Sequence, residues 1–174
     1  MRRTILALAV ALAAVPASAA LPVGRTAPDF RTMGALNGKP FQLHLAEQLK
    51  SGPVVLYFYP KAYTKGCTLE ARAFSEANPQ FVAAGARVIG LSADDLPTLK
   101  HFSVEHCRGK FPVATASAKM IRDYDVRLPV VSMSNRTSYV IARDGRITFV
   151  HSDLDWKDHV AKTLAAVRAL RPAT

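Results

Sequence analysis

Two stretches of the chain are apolar almost without interruption, residues 53–59 (Pro-Val-Val-Leu-Tyr-Phe-Tyr) and residues 87–92 (Arg-Val-Ile-Gly-Leu-Ser). Runs that are β-branched and aromatic and lack alternation predict strands buried on both faces. Between them the period changes. From Cys67 onward Leu69, Ala73, Phe74 and Ala77 recur at three- and four-residue steps, the spacing of a helix. Asn78-Pro79 reads as the restart of a second helical turn, with Asn as N-cap and Pro at the first position, and Gly85 as its stop. Residues 41–45 alternate apolar and polar, as a short edge strand does, and residues 21–38, rich in Pro and Gly, read as loop.

Beyond the second buried strand, Asp94 or Asp95 caps a helix that runs to about Cys107, with Pro97 early and Gly109 just past its end. Residues 111–114 form a short extended piece, and a helix follows around residues 118–124. Residues 137–142 and 146–151 are strands joined by Arg143-Asp144-Gly145, a hairpin signal. Asp155 opens a last amphipathic helix carrying Val160, Leu164, Val167 and Leu170. Strand–helix–strand units followed by a hairpin and a closing helix predict an α/β fold: a central mixed sheet flanked by helices on both faces. No internal repeat or linker divides the chain, so residues 20–174 are expected to form one domain.

The first residues change the picture of where the chain works. Arg2 and Arg3 precede an apolar run from Ile5 to Val15, Pro16 breaks it, and Ala17-Ser18-Ala19 follows. That order predicts a signal peptide over residues 1–19 and an exported, periplasmic protein. The run is shorter than the roughly 20 residues that span a bilayer, so no stable membrane insertion is expected. The formal net charge is +10, but Lys and Arg are scattered, without the basic stripe interleaved with aromatics that marks a nucleic-acid binder. Five histidines lack the spacing of metal ligands; neither a metal nor another cofactor is expected.

Chemistry gathers at one place. Cys67 follows a buried strand, a loop containing Pro60 and then Gly66, and it stands in the first turn of a helix. A thiol is nucleophilic as the thiolate, and the free N–H groups and positive dipole end of a helix start favour an anion. Thr64 can turn its hydroxyl toward the sulfur and a bound oxygen, or simply cap the helix. Pro60 closes one side and brings no N–H of its own. Cys107 is the only other cysteine, and in an oxidising compartment the pair could equally be a structural disulfide.

Residues 54–68 (Val-Val-Leu-Tyr-Phe-Tyr-Pro-Lys-Ala-Tyr-Thr-Lys-Gly-Cys-Thr) resemble the active-site segment of peroxiredoxins, with its Pro-x-x-x-Thr-x-x-Cys signature. The Tyr-Phe-Tyr-Pro-Lys lead-in and the Gly-Cys-Thr-x-Glu-Ala run look most like the bacterioferritin comigratory protein, or peroxiredoxin Q, branch. Residues 24–30 are similar to the family's opening, residues 88–92 to its next strand, and residues 135–141 to the segment that carries its active-site arginine. The resemblance implies a thioredoxin fold and a thiol peroxidase acting on hydrogen peroxide and organic hydroperoxides. It implies that Cys67 is the peroxidatic nucleophile, forming a sulfenic acid. Thr64 would position the peroxide, Pro60 would shield the thiolate, and Arg136 would stabilise the thiolate and the leaving oxygen.

The chain departs from the branch in three places. Arg72 stands where many members carry the resolving cysteine, Lys65 where the family often has Pro, and Tyr63 where many have Asp. Some members place the resolving cysteine on the helix after the second strand. The resemblance thus points to Cys107 as resolving thiol, forming an intramolecular disulfide with Cys67 after local unwinding, with resolution by an external thiol as the alternative. It also implies an external thiol reductant, a thioredoxin-like or other periplasmic dithiol protein, and a monomer. A thiol–disulfide oxidoreductase of the same fold would need Cys-x-x-Cys, and Glu70 occupies the place of its second cysteine. A non-catalytic binding module has no need of Pro60, Thr64, Cys67 and Arg136 together.

Overall fold

The computed structural model describes residues 20–170; the expected signal segment, residues 1–19, and residues 171–174 lie outside the described residues. The elements in chain order are β1 (Arg31–Leu36), β2 (Lys39–His44), α1 (Leu45–Leu49), β3 (Val54–Phe58), α2 (Lys65–Ala83) and β4 (Arg87–Ser92). Then come α3 (Leu96–Glu105), β5 (Val113–Thr115), α4 (Ala118–Asp123), β6 (Thr137–Ile141), β7 (Ile147–Ser152) and α5 (His159–Ala169). The strands form one seven-stranded sheet in the order β2-β1-β5-β4-β3-β6-β7. β4 runs parallel to β3 and to β5, and all other pairs are antiparallel. The parallel pairs need crossovers, which α2 and α3 supply.

β3 is buried at every position, as its unbroken apolar run requires. Its side chains alternate between two core layers. Val54, Leu56 and Phe58 pack with Leu45 and Leu49 of α1 and with Met120 and Ile121 of α4. Val55 and Tyr57, with Tyr59 beyond the strand, pack against Phe74 and Phe81 of α2, Leu99 and Phe102 of α3, and Val167 of α5. Helices therefore cover both faces of a mixed sheet, and β3 is held between them as a rigid floor for whatever follows it.

Three expectations need correction. Residues 31–36, read as loop, form β1. Gly34 lies in mid-strand because β5 comes close there: a Cβ on it would meet the Ala114 Cβ and the Val113 carbonyl oxygen, both at 3.0 Å. The helix expected to restart at Asn78-Pro79 is one continuous 19-residue helix with Pro79 inside it. The buried stripe of Cys67, Glu70, Ala71, Phe74, Ala77 and Phe81 runs through the proline, and tertiary burial outweighs the lost backbone bond. Asn78 does not cap; its side-chain amide donates to the Lys110 carbonyl at 3.1 Å. Finally, α3 ends at Glu105, so Cys107 lies just past the helix, where Arg108 (φ 51°) and Gly109 (φ 63°) turn the chain through left-handed conformations. The cap of α3 is Asp95, which accepts from the Thr98 N–H at 2.9 Å.

Candidate active site

The loop that follows β3 is tied down at several points. The Tyr59 N–H donates to the Leu91 carbonyl at 2.9 Å. The Ala62 N–H and the Ser92 hydroxyl both donate to Asp94 Oδ2, at 2.7 and 2.8 Å, which fastens the loop to the end of β4. Tyr63 adopts φ 64°, a left-handed conformation unusual for an aromatic residue. Its ring stands edge-on to Phe102 and His106, each with centroids 5.4 Å away, and these contacts tie the loop to the end of α3. A cavity of about 280 Å³ opens beside Pro60, lined also by Lys61, Ala93, Asp94 and Met133.

Thr64 occupies the N-cap position of α2 in an extended conformation, yet its side chain caps nothing. Its hydroxyl donates to the Lys61 carbonyl at 3.0 Å, which leaves the oxygen lone pairs open to accept. Cys67 is the third residue of α2 and is buried. The first N–H groups of a helix lack intrahelical acceptors, so the backbone here offers positive partial charge at the sulfur's own turn.

Arg136 reaches this place from just before β6, a segment anchored by the Ser134 hydroxyl on the Tyr59 carbonyl at 2.9 Å. Its guanidinium is a fork with three tines in use. Nη2 donates to Cys67 Sγ at 3.4 Å, Nη1 pairs with Glu70 Oε2, and Nε donates to the Leu154 carbonyl at 2.9 Å. The approach depends on Gly66, where a Cβ would come within 3.2 Å of Arg136 Nη2. The structure brings Cys67 and Arg136 into contact, while the Thr64 hydroxyl is directed at Lys61 instead of the sulfur.

Two further residues join the cluster that sequence reasoning had not assigned a place in it. Glu70, three residues after Cys67 on the same helix face, is fully buried and pairs with Arg136. His159, at the start of α5, is fully buried, with Nδ1 3.8 Å from Glu70 Oε1 and 2.8 Å from the Ser138 hydroxyl. A signal was available: each is a polar side chain on the apolar stripe of its helix, Glu70 among Cys67, Ala71 and Phe74, His159 in line with Thr163, Leu164 and Val167.

Burial pushes the Glu70 carboxyl up to about 8, against the lowering pull of Arg136. Burial holds His159 down at about 4, so the ring is neutral at ordinary pH. A carboxyl whose native value is raised binds more protons folded than unfolded. Glu70 therefore contributes stability that is fully present below about 4.5 and is lost as the pH rises toward about 8. In a Cys67→Ser background, where no thiol titrates at this site, urea unfolding is expected to show that loss, and adding Glu70→Gln should flatten it. A pH profile unaltered by Glu70→Gln would contradict this placement of the carboxyl.

Cys107 is also buried and reduced, in the apolar layer that holds Cys67, with Phe102 and Phe111. Burial pushes its thiol far above the usual range, so the sulfur is inert while the fold around it stays closed. Among the described residues no group of side chains could hold a metal ion, and no helix is long and apolar enough to cross a membrane.

Residues 23–150 match the AhpC/TSA family. The chain is similar to the chloroplastic peroxiredoxin Q of Oryza sativa subsp. japonica, at 30% identity over 94% of this chain and 81% of that one. It is also similar to that of Arabidopsis thaliana, at 34% identity over 84% and 67%. Among solved structures, the peroxidoxin BcpB of Mycobacterium tuberculosis superposes with a TM-score of 0.74 at 32% identity, covering 86% of this chain and 97% of that one. The AhpC of the same organism, at 20% identity and a TM-score of 0.76, shares the fold.

Proposed function

Because the chain belongs to the AhpC/TSA family, and within it to the peroxiredoxin Q branch, it is a thiol peroxidase with the thioredoxin fold, and we propose that Cys67 is the sulfur that attacks the peroxide. The observation that carries this reading is the contact of Arg136 Nη2 with Cys67 Sγ at the first turn of α2. A guanidinium on the sulfur and the positive end of the helix at its first turn both favour the anion, the nucleophilic form. The Thr64 hydroxyl, its hydrogen spent on Lys61, accepts the hydrogen of the incoming hydroperoxide and aims the O–O bond at the sulfur. Pro60 forms a wall of the approach.

In the reaction the thiolate electron pair forms an S–O bond and the O–O bond breaks. Cys67 becomes a sulfenic acid, and the second oxygen leaves with the bonding electrons and takes a proton, as water or as an alcohol. Arg136 supports the negative charge developing on that oxygen. Hydrogen peroxide and organic hydroperoxides are the proposed substrates. Gly66→Ala tests the role of the arginine without touching a reacting group. It should slow peroxide reduction roughly tenfold by displacing the guanidinium, with the helix gain from Gly→Ala offset by a loosened Glu70 pair. Activity unchanged in that variant would argue against Arg136 in the reaction.

Cys107 is the proposed resolving thiol. Its sulfur attacks the sulfenic sulfur, forming the S–S bond and expelling the hydroxyl as water. Support comes from its place in the same apolar layer as Cys67 and from the left-handed turn that holds it outside α3, where it can move without dismantling a helix. Its burial requires local opening of that turn and of the first turn of α2. After one equivalent of hydrogen peroxide, both thiols should be lost and the intact mass should fall by two hydrogens. An added oxygen on Cys67 with Cys107 still free would assign resolution to an external thiol. An external dithiol protein is proposed to complete the cycle; the proposed setting is the periplasm, on the sequence pattern of residues 1–19, and the proposed state a monomer, on the branch resemblance.

A further inference from the structure

Arg136 is one cation with two acids on it: Nη1 on Glu70 Oε2 and Nη2 on Cys67 Sγ, all three side chains buried. With both acids ionised, the cluster would carry a net negative charge in an apolar layer, at a large desolvation cost. One proton between the two acids balances the guanidinium. The second oxygen of Glu70 indicates where that proton resides. Oε1 is buried and has no hydrogen-bond partner among the described residues. It faces His159 Nδ1 at 3.8 Å. The other ring nitrogen, Nε2, lies 2.9 Å from the Asp153 carbonyl, which can only accept, so Nε2 carries the hydrogen and Nδ1 of the neutral ring is an acceptor. That acceptor is already taken, since the Ser138 hydroxyl donates to Nδ1 at 2.8 Å; the ring offers Oε1 no hydrogen, and a buried oxygen so placed holds a proton more readily than a negative charge.

We propose that Cys67 and Glu70 hold a single proton between them in the working enzyme, and that its residence on Glu70 leaves Arg136 to the thiolate. Thiolate formation is then an internal transfer: the S–H bond breaks, an O–H bond forms on Glu70, and the charge of the cluster is unchanged. After oxygen transfer the sulfenic acid is neutral, Glu70 pairs with Arg136 as carboxylate, and its proton balances the one taken up by the leaving oxygen. The inference rests on Cys67 being the reactive thiol. The other groups facing Glu70 and His159 are the Tyr57 hydroxyl of β3, the Ser138 hydroxyl of β6, Asp153, and the His151 ring of β7, tilted against His159 with centroids 4.5 Å apart. Lys162 and Asp158 face His151 in turn.

The test is the pH profile of iodoacetamide alkylation of Cys67 in a Cys107→Ser background. Glu70→Gln, which fixes the neutral state, should move the profile to lower pH. The shift should be about one unit, or tenfold in rate on the rising limb. A residue that merely supports the site would move the profile to higher pH or leave it in place, and either result overturns the inference. Should a variant fail to fold, infrared spectroscopy of the unsubstituted chain decides. The pH at which its protonated-carboxyl band disappears should fall when Cys67 is alkylated, and a fixed midpoint overturns the inference. Neither readout involves peroxide, so a Cys67 that shows these shifts but does not reduce peroxide would sink the peroxidase assignment alone.

Discussion

Replacing Arg136 by leucine is expected to slow peroxide reduction by about 10²–10³-fold, the loss seen when a preorganised charge donor is removed from an oxyanion site. It should also destabilise the fold by roughly 3 kcal/mol, because it strands the buried Glu70 carboxyl without its cation. The stability cost has its own signature. At pH 5 Glu70 already holds a proton, so the variant should lose less there than at pH 8. Adding Glu70→Gln should recover part of the loss at pH 8 without restoring the rate. Urea unfolding at the two pH values and initial rates of peroxide loss read these effects separately. An equal destabilisation at both would mean that the packing of the guanidinium, and its bond to the Leu154 carbonyl, set the cost.

The largest effect belongs to Cys67→Ser. Peroxide reduction should fall by a factor on the order of 10⁴ or more, the scale on which enzymes respond to loss of their nucleophile. The hydroxyl that replaces the thiol is smaller, accepts from Arg136 Nη2 as the sulfur does, and does not ionise near neutral pH. Stability should therefore change by less than about 1.5 kcal/mol. The matching Cys107→Ser variant should keep its first turnover at the unsubstituted rate and lose only the later ones. Equal loss of the first turnover in both variants would place Cys107 in the oxygen-transfer step itself.

The sheet and its order of elements were legible wherever burial was uniform. β3 and β4 stand out as unbroken apolar runs because a strand covered on both faces has no polar side to show. β1 did not, since a glycine chosen for the close approach of β5 looks the same in sequence as a glycine in a loop, and Met33 and Leu36 remain partly exposed. Pro79 misled for a related reason: local propensity argues for a break, and only the burial of Phe81 beyond it argues for continuity. At the site, Cys67 and the helix start were legible from spacing alone. Arg136, 69 residues away in sequence, came within reach only through the family resemblance. Glu70 and His159 were passed over because their significance is a three-dimensional one: a carboxylate oxygen and a ring nitrogen meet across two helices, and neither neighbour is visible from the other's place in the chain.

The most direct test of the central claim is a single turnover of the Cys107→Ser protein with less than one equivalent of hydrogen peroxide, in the presence of dimedone, followed by mass mapping of the adduct. Trapped sulfenic acid on Cys67, formed in step with peroxide consumption and slowed by about 10²–10³-fold when Arg136 is also replaced by leucine, is the expected result. Peroxide consumed with no adduct on Cys67 and no matching loss of its thiol would contradict it.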